Sequence, residues 1–207
     1  MEDRHNRTMN RPSSSASRRR KPLAPLDDAR LEELALAYVA RFATSAGRLA
    51  AYCRRKLRER GHAGQDRGEP APDVAALVER FVAKGFVDDA GYARAKADAL
   101  LRRGYGARRV GDALRADGIA EPLRAELAPG DAERREAAAA YARRRRFGPF
   151  ARAPLGPAGG AGHQKQLAAL LRAGHDSAHA RHVLAAASPG EVEDWIAEAR
   201  EKEDRTT

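Results

Sequence analysis

Residues 84–119 constrain this chain more than any other stretch, because helix starts and helix stops follow one another there without spare residues. Lys84, Gly85, Phe86, Val87, Asp88 and Asp89 lead into Tyr92 and Ala93. Gly104, Tyr105, Gly106, Ala107, Arg108, Arg109 and Val110 come next, then Leu114, Gly118 and Ile119. Asp88 or Asp89 can accept hydrogen bonds from the free N–H groups that open a helix, and Gly104 and Gly118 can take the left-handed conformation that closes one. The segment therefore predicts two helices joined by a tight break. Apolar residues recur at helical spacing from Leu31 onward while alternating β-branched runs are missing, so the whole chain reads as all-α.

The same pattern organises the flanking regions. Leu31, Leu34, Tyr38 and Phe42 share one face of a first helix, and Leu49, Cys53 and Leu57 one face of a second that ends at Gly61. A polar loop over 61–72 precedes a third helix opened by Pro72 and Asp73, with the stripe Val74, Leu77, Val78, Phe81 and Val82. Helices near 89–103, 106–117 and 121–128 form a middle unit, the last with Pro122 in its first turn, where a missing N–H costs nothing. A third unit starts at Asp131 and is interrupted over 148–162 by Pro149, Pro154, Pro157 and several glycines, which predict a loop. Leu167, Leu170 and Leu171, then Ala180, Val183 and Leu184, mark further helices, and Ser188 with Glu191 gives a capping-box pattern ahead of Val192, Trp195 and Ile196. Aligning helix ends lays Cys53, Leu57 and Gly61 on Val110, Leu114 and Gly118, and Gly104, Tyr105, Val110 and Leu114 on Gly174, His175, Ala180 and Leu184. The expected architecture is thus tandem repeats of three-helix bundles forming an elongated, curved rod. Its boundaries fall at a disordered basic tail (1–27), repeats over 28–86, 87–129 and 130–188, and a C-terminal helix and tail (189–207).

Charge narrows the partners. The formal net charge is +10 with 33% charged residues, which favours an acidic partner such as nucleic acid or a protein that carries it. Arg4, Arg7, Arg11, Arg18, Arg19, Arg20 and Lys21 stand against Glu2 and Asp3 in the N-terminal tail, which has too little apolar surface to offset its chain entropy. That tail lacks the apolar run of a signal peptide and no window suits a bilayer, so a cytoplasmic protein without a membrane partner is expected; the chain is also expected to be monomeric. The single cysteine, Cys53, excludes an internal disulfide and reads as a small buried hydrophobe.

Arginines are the strongest candidates for binding. Arg54, Arg55 and Arg58 lie on the second helix; Arg102, Arg103, Arg108, Arg109 and Arg115 flank the corresponding break in the middle unit; Arg143 and Arg144 begin a third cluster. Stacked units could align these forked donors towards carboxylates or phosphates. Solvated helix surface is the competing reading, since Asp112 follows Arg108, and Glu59 follows Arg55, by one helical turn. Tyr105 could stack on a base or partner, or plug a helix joint, and packing is slightly favoured. His175, His179 and His182 share a helical face, but no carboxylate or thiol sits at a fitting spacing beside them, so exposed or stacking histidines are expected rather than a metal site. Asp88 and Asp89 point apart at a helix start, residues 159–162 lack the Gly-Lys-Ser/Thr of a phosphate loop, and no nucleophile has an ordered base. Neither catalysis, nor a cofactor, nor a metal is expected.

The order of glycines, acidic caps, tyrosine and arginines in the middle unit resembles the central repeat of the RecX family, bacterial regulators of RecA recombinase. Residues 31–187 fall within the likeness. Tyr38, Arg41, Ser45, Leu57 and Gly61 carry it loosely in the first unit, and the third departs most, with the 148–162 insertion and with His175 and Asp176 where the middle unit has Tyr105 and Gly106. The resemblance implies a non-enzymatic protein that lies in the groove of the RecA–DNA filament and restrains recombination, DNA repair and the SOS co-protease response. Its partners would be the RecA filament and single-stranded or duplex DNA. The alternative from another class is a free-standing helical DNA-binding protein acting without RecA.

Overall fold

In a computed structural model the described residues are 24–152 and 160–206. They form α1 (Asp28–Val39), α2 (Ala46–Arg60), α3 (Val74–Ala83), α4 (Asp89–Arg102), α5 (Ala107–Ala116), α6 (Glu121–Glu126), α7 (Asp131–Arg145), α8 (Ala161–Arg172), α9 (Ser177–Ala185) and α10 (Pro189–Asp204). Two 3₁₀ turns, Gln65–Arg67 and Gly148–Phe150, complete the regular structure, and the described residues contain no strand, so the protein is all-α. None of these helices is long and apolar enough to cross a membrane.

The helix ends follow the local chemistry. Asp27, Ser45, Asp73, Asp88, Asp176 and Ser188 each accept a backbone N–H at the first turn of α1, α2, α3, α4, α9 and α10. Gly104 (φ 76°) and Gly118 (φ 78°) supply the left-handed residues that end α4 and α5. Between the two aspartates the work is divided. Asp88 caps its own helix through Gly91 N at 3.0 Å, whereas Asp89 reaches back to accept Ala46 N at 2.7 Å, capping α2 in the preceding unit.

Apolar side chains gather into three clusters. The first holds Leu26, Leu31, Leu49, Cys53, Leu77 and Phe81; the second, small, holds Ala93, Ala97, Val110, Leu114 and Ile119; the third holds Tyr141, Leu170, Val183, Val192 and Trp195. A five-residue cluster, each large side chain worth about 1.5–3 kcal/mol, leaves the middle helices dependent on contacts with both neighbours.

Several sequence expectations need correction. Leu26 and Asp27, assigned by composition to the disordered tail, are packed and ordered: Asp27 caps α1, and Leu26 is fully buried in the first cluster, its backbone pairing with Gly61 O (3.0 Å) and Ala63 N (2.8 Å). Residues 1–23 lie outside the described residues. Phe42 falls beyond the end of α1 and Val82 on the outer side of α3, so both are about half exposed instead of joining their apolar stripes. Regular structure enters both ends of the loop expected over 148–162. A 3₁₀ turn brings Phe150 against the third cluster, and α8 already begins at Ala161; residues 153–159 lie outside the described residues. α10, set apart from the third unit by sequence, lies along α7 and supplies Val192 and Trp195 to that unit's core.

Candidate partner-binding surface at the helix joints

Two glycine-tight joints hold the units together and decide which arginines remain available. At the first, the start of α2 meets the end of α5. A Cβ on Gly47 would lie 2.7 Å from Gly118 Cα, and one on Gly118 would lie 2.8 Å from Gly47 Cα, so only two glycines permit this approach. Ser45 Oγ donates to Asp117 O at 2.5 Å. The Asp117 carboxylate, 7% exposed, accepts from Tyr92 Oη (2.6 Å), Arg48 Nη1 (3.0 Å) and Lys96 Nζ. Burial alone would raise its pKa, but these three donors outweigh burial and hold it below the ordinary carboxylate value. Nothing in the sequence marks Asp117 as special, because its partners come from α2 and α4.

At the second joint the α4–α5 turn meets the α8–α9 turn. Gly106 N donates to Ala173 O (3.0 Å) and Arg108 N to Gly174 O (3.2 Å). Added Cβ atoms on Gly104 and Gly106 would meet Tyr141 N at 2.6 Å and Gly174 C at 2.3 Å. His175, buried, donates through Nε2 to Gly104 O at 3.0 Å, and burial pushes its pKa down, consistent with a neutral ring that keeps this proton. Tyr105 is half-buried against the third cluster, with the Arg109 guanidinium 5.4 Å from its ring centre, so it plugs the joint.

The arginines named from the sequence are all exposed, yet they differ in what they already hold. Arg54, Arg58, Arg102 and Arg103 make no ion pair or side-chain hydrogen bond among the described residues. Arg55 pairs with Glu59 at 3.6 Å, the helical contact the spacing predicts. Arg108 does not pair with Asp112. Its Nη2 instead donates to Leu171 O at 2.6 Å across the second joint, while Asp112 takes Arg115 at 2.6 Å. Arg143 sits over Phe150 (5.0 Å) and beside Glu193 (3.3 Å), and Arg144 lies 5.6 Å from the ring of Tyr141. Because Tyr141 backbone abuts Gly104, the joint brings the α7 cluster and the pairs Arg102/Arg103 and Arg108/Arg109 onto neighbouring elements. Arg54, Arg55 and Arg58 stand apart on α2.

The three histidines have separate roles. His175 closes the joint, and His182 stacks on Trp195 with ring centres 4.2 Å apart. His179 bonds Asp131 through Nε2 at 2.9 Å and Asp176 through Nδ1, so two carboxylates lie beside it where the sequence reading expected none; Asp176, one helical turn earlier, was legible in the spacing, and Asp131 was not. Three-dimensional proximity of α7 and α9 supplied Asp131.

No protein-family model matches the chain. A similar protein is the regulatory protein RecX of Myxococcus xanthus (strain DK1622), 34% identical over 158 residues, which cover 74% of this chain and 83% of the relative. Among solved structures, a crystal structure of regulatory protein RecX superposes with a TM-score of 0.53 at 17% identity, covering 75% of this chain and 72% of the other, a likeness of fold. With a relative at 34% identity across most of both lengths, the chain belongs to the RecX family of regulatory proteins.

Proposed function

We propose that this protein is a non-enzymatic regulator that lies in the groove of the RecA–DNA filament and inhibits recombinase and co-protease activity, tempering DNA recombination, repair and the SOS response. The observation that carries the reading is the middle unit, whose glycine joints lock it to both neighbours while leaving Arg102 and Arg103 exposed and without internal partners. In this reading the three units, 28–86, 87–129 and 130–188, stack as an elongated curved rod, and Arg54, Arg55, Arg58, Arg102, Arg103, Tyr105, Arg108, Arg109, Arg115, Arg143 and Arg144 form the contact set. Forked guanidiniums suit both partners, because they recognise RecA carboxylates and DNA phosphates with the same two-pronged geometry. Such a contact needs no catalytic group of its own.

Co-sedimentation with RecA filaments, with and without nucleotide, tests the reading. The expected result is preferential pelleting with RecA-coated single strands over naked DNA at equal salt. A free-standing DNA binder that neutralises about six phosphates would instead lose affinity on naked DNA with a log–log salt slope of about −5. Equal affinity for coated and naked strands refutes the filament reading.

A further inference from the structure

Among the described residues the large apolar side chains left most exposed are Leu36, Phe42, Val82 and Phe86, and two of them meet at one place. Phe42, just past α1, and Phe86, in the turn between α3 and α4, line a single cavity of about 520 Å³. Val39, Ala43 and Ala95 continue its apolar wall. Thr44 also lines it, and its Oγ1 is buried without a hydrogen-bond partner. The cavity is preformed, since Phe86 meets Phe81 edge-on at 5.5 Å and Phe42 leans on Tyr38 at 5.5 Å. Each ring is thus held at one edge by the first core, and an occupant would not have to order the walls.

The lining specifies the occupant. A volume in this range, walled by aromatic rings and methyl groups, suits one bulky apolar side chain with its flanking backbone. Of the charged residues flanking the lining, Arg41, whose guanidinium lies 6.0 Å from the centre of the Phe42 ring, and Lys84, next to Gly85 in the chain, are exposed and form no ion pair, whereas Lys96 is held by Asp117 and Asp88 by the amide of Gly91. The uncommitted charge is therefore positive. A nucleic-acid strand fits less well, because the walls are mostly apolar and no arginine lines them to take a phosphate. We propose that this groove receives an apolar side chain next to a carboxylate, presented by a surface segment of a RecA protomer; the inference rests on the filament reading above. Thr44 Oγ1 then finds a partner in the backbone of that segment, and Arg41 or Lys84 takes the carboxylate.

Two measurements on the full chain test the groove. The first compares Phe42→Ser/Phe86→Ser with the parent in co-sedimentation with RecA-coated single strands, after circular dichroism, urea unfolding and protection of the buried Cys53 from a thiol reagent have established native folding. Since both rings are half exposed, folding should survive, and binding should weaken by about tenfold with the salt slope unchanged. The second places a photo-reactive benzoylphenylalanine at position 86 of the otherwise native chain, where a cross-link to RecA is expected. If the double variant binds as the parent does, or if no RecA cross-link forms, the groove proposal is overturned while the filament reading stands. Cross-links to DNA, to a second copy of the chain or to its own residues 1–23 overturn it in favour of that occupant. Failure of the parent itself to pellet with the filaments overturns both.

Discussion

Replacing Asp117 by alanine probes whether the joint between the first two units is held by a polar node or by apolar packing alone. The carboxylate accepts from Tyr92, Arg48 and Lys96, and its own backbone carbonyl takes Ser45 Oγ. Breaking a fully buried ion pair costs about 3–5 kcal/mol because the abandoned partner stays desolvated. Here Arg48 is 45% exposed and Lys96 28%, so both cations can be rehydrated and that upper figure is not reached. A carboxylate at the end of α5 also opposes the helix dipole, and its removal returns about 0.3–1 kcal/mol. The net loss expected for Asp117→Ala is about 2 kcal/mol, and for Asp117→Asn, which keeps a bond to Tyr92, about 1 kcal/mol. In a chain of this size 2 kcal/mol lowers Tm by about 4–8 °C. Urea unfolding followed by circular dichroism measures the loss, while Trp195 emission reports the third core separately and should move less. The pH dependence has a definite sign. Asp117 has a depressed pKa in the folded state, so its contribution is present above the unfolded value of about 3.9 and is lost as pH falls through the lower folded value. The Asn variant should lack that part of the acid transition. A loss below about 0.5 kcal/mol for Asp117→Ala, or strict additivity of Asp117→Asn with Tyr92→Phe, would refute the node.

Two glycine substitutions should have opposite signs. Gly106→Ala drives a Cβ to 2.3 Å from Gly174 C and should cost about 2–3 kcal/mol, whereas Gly111→Ala, in the interior of α5 with open space around it, should stabilise by about 0.5–1 kcal/mol, both read by thermal melts. Cys53 is buried, and burial raises its thiol pKa to about 11, so a thiol reagent at neutral pH should label it only at the rate of unfolding; rapid labelling of the native protein refutes that burial. Charge reversal of Arg102 and Arg103 together should keep the circular dichroism spectrum and abolish inhibition of RecA-driven strand exchange, and unchanged inhibition removes the pair from the contact. Reversal of Arg108 and Arg109 is a less clean version of that test, because Arg108 also ties α5 to Leu171 O and Arg109 covers Tyr105.

Local chemistry was written plainly enough in the sequence to give the helical class, most helix ends and the family. Caps, left-handed glycines and apolar spacing act over a few residues, so an aspartate cap at position 88 or 89, the helix-closing Gly104 and Gly118, and the Ser188 start of α10 could be read from their neighbours alone. The arginines were recognisable as exposed for the same reason. Tertiary structure decided everything that depends on residues far apart in the chain. Asp89 caps a helix 43 positions earlier, Asp117 gathers donors from α2 and α4, and His175 closes on Gly104 from 71 positions away. It also decided which charges are already engaged inside the molecule, sending Arg108 across a joint instead of along its own helix. Phe42 and Phe86 gave no sequence signal as a pair. Helical periodicity fixes which face a side chain occupies, but whether that face finds a neighbour is set by how the helices pack, and between α1 and α4 the packing leaves a groove.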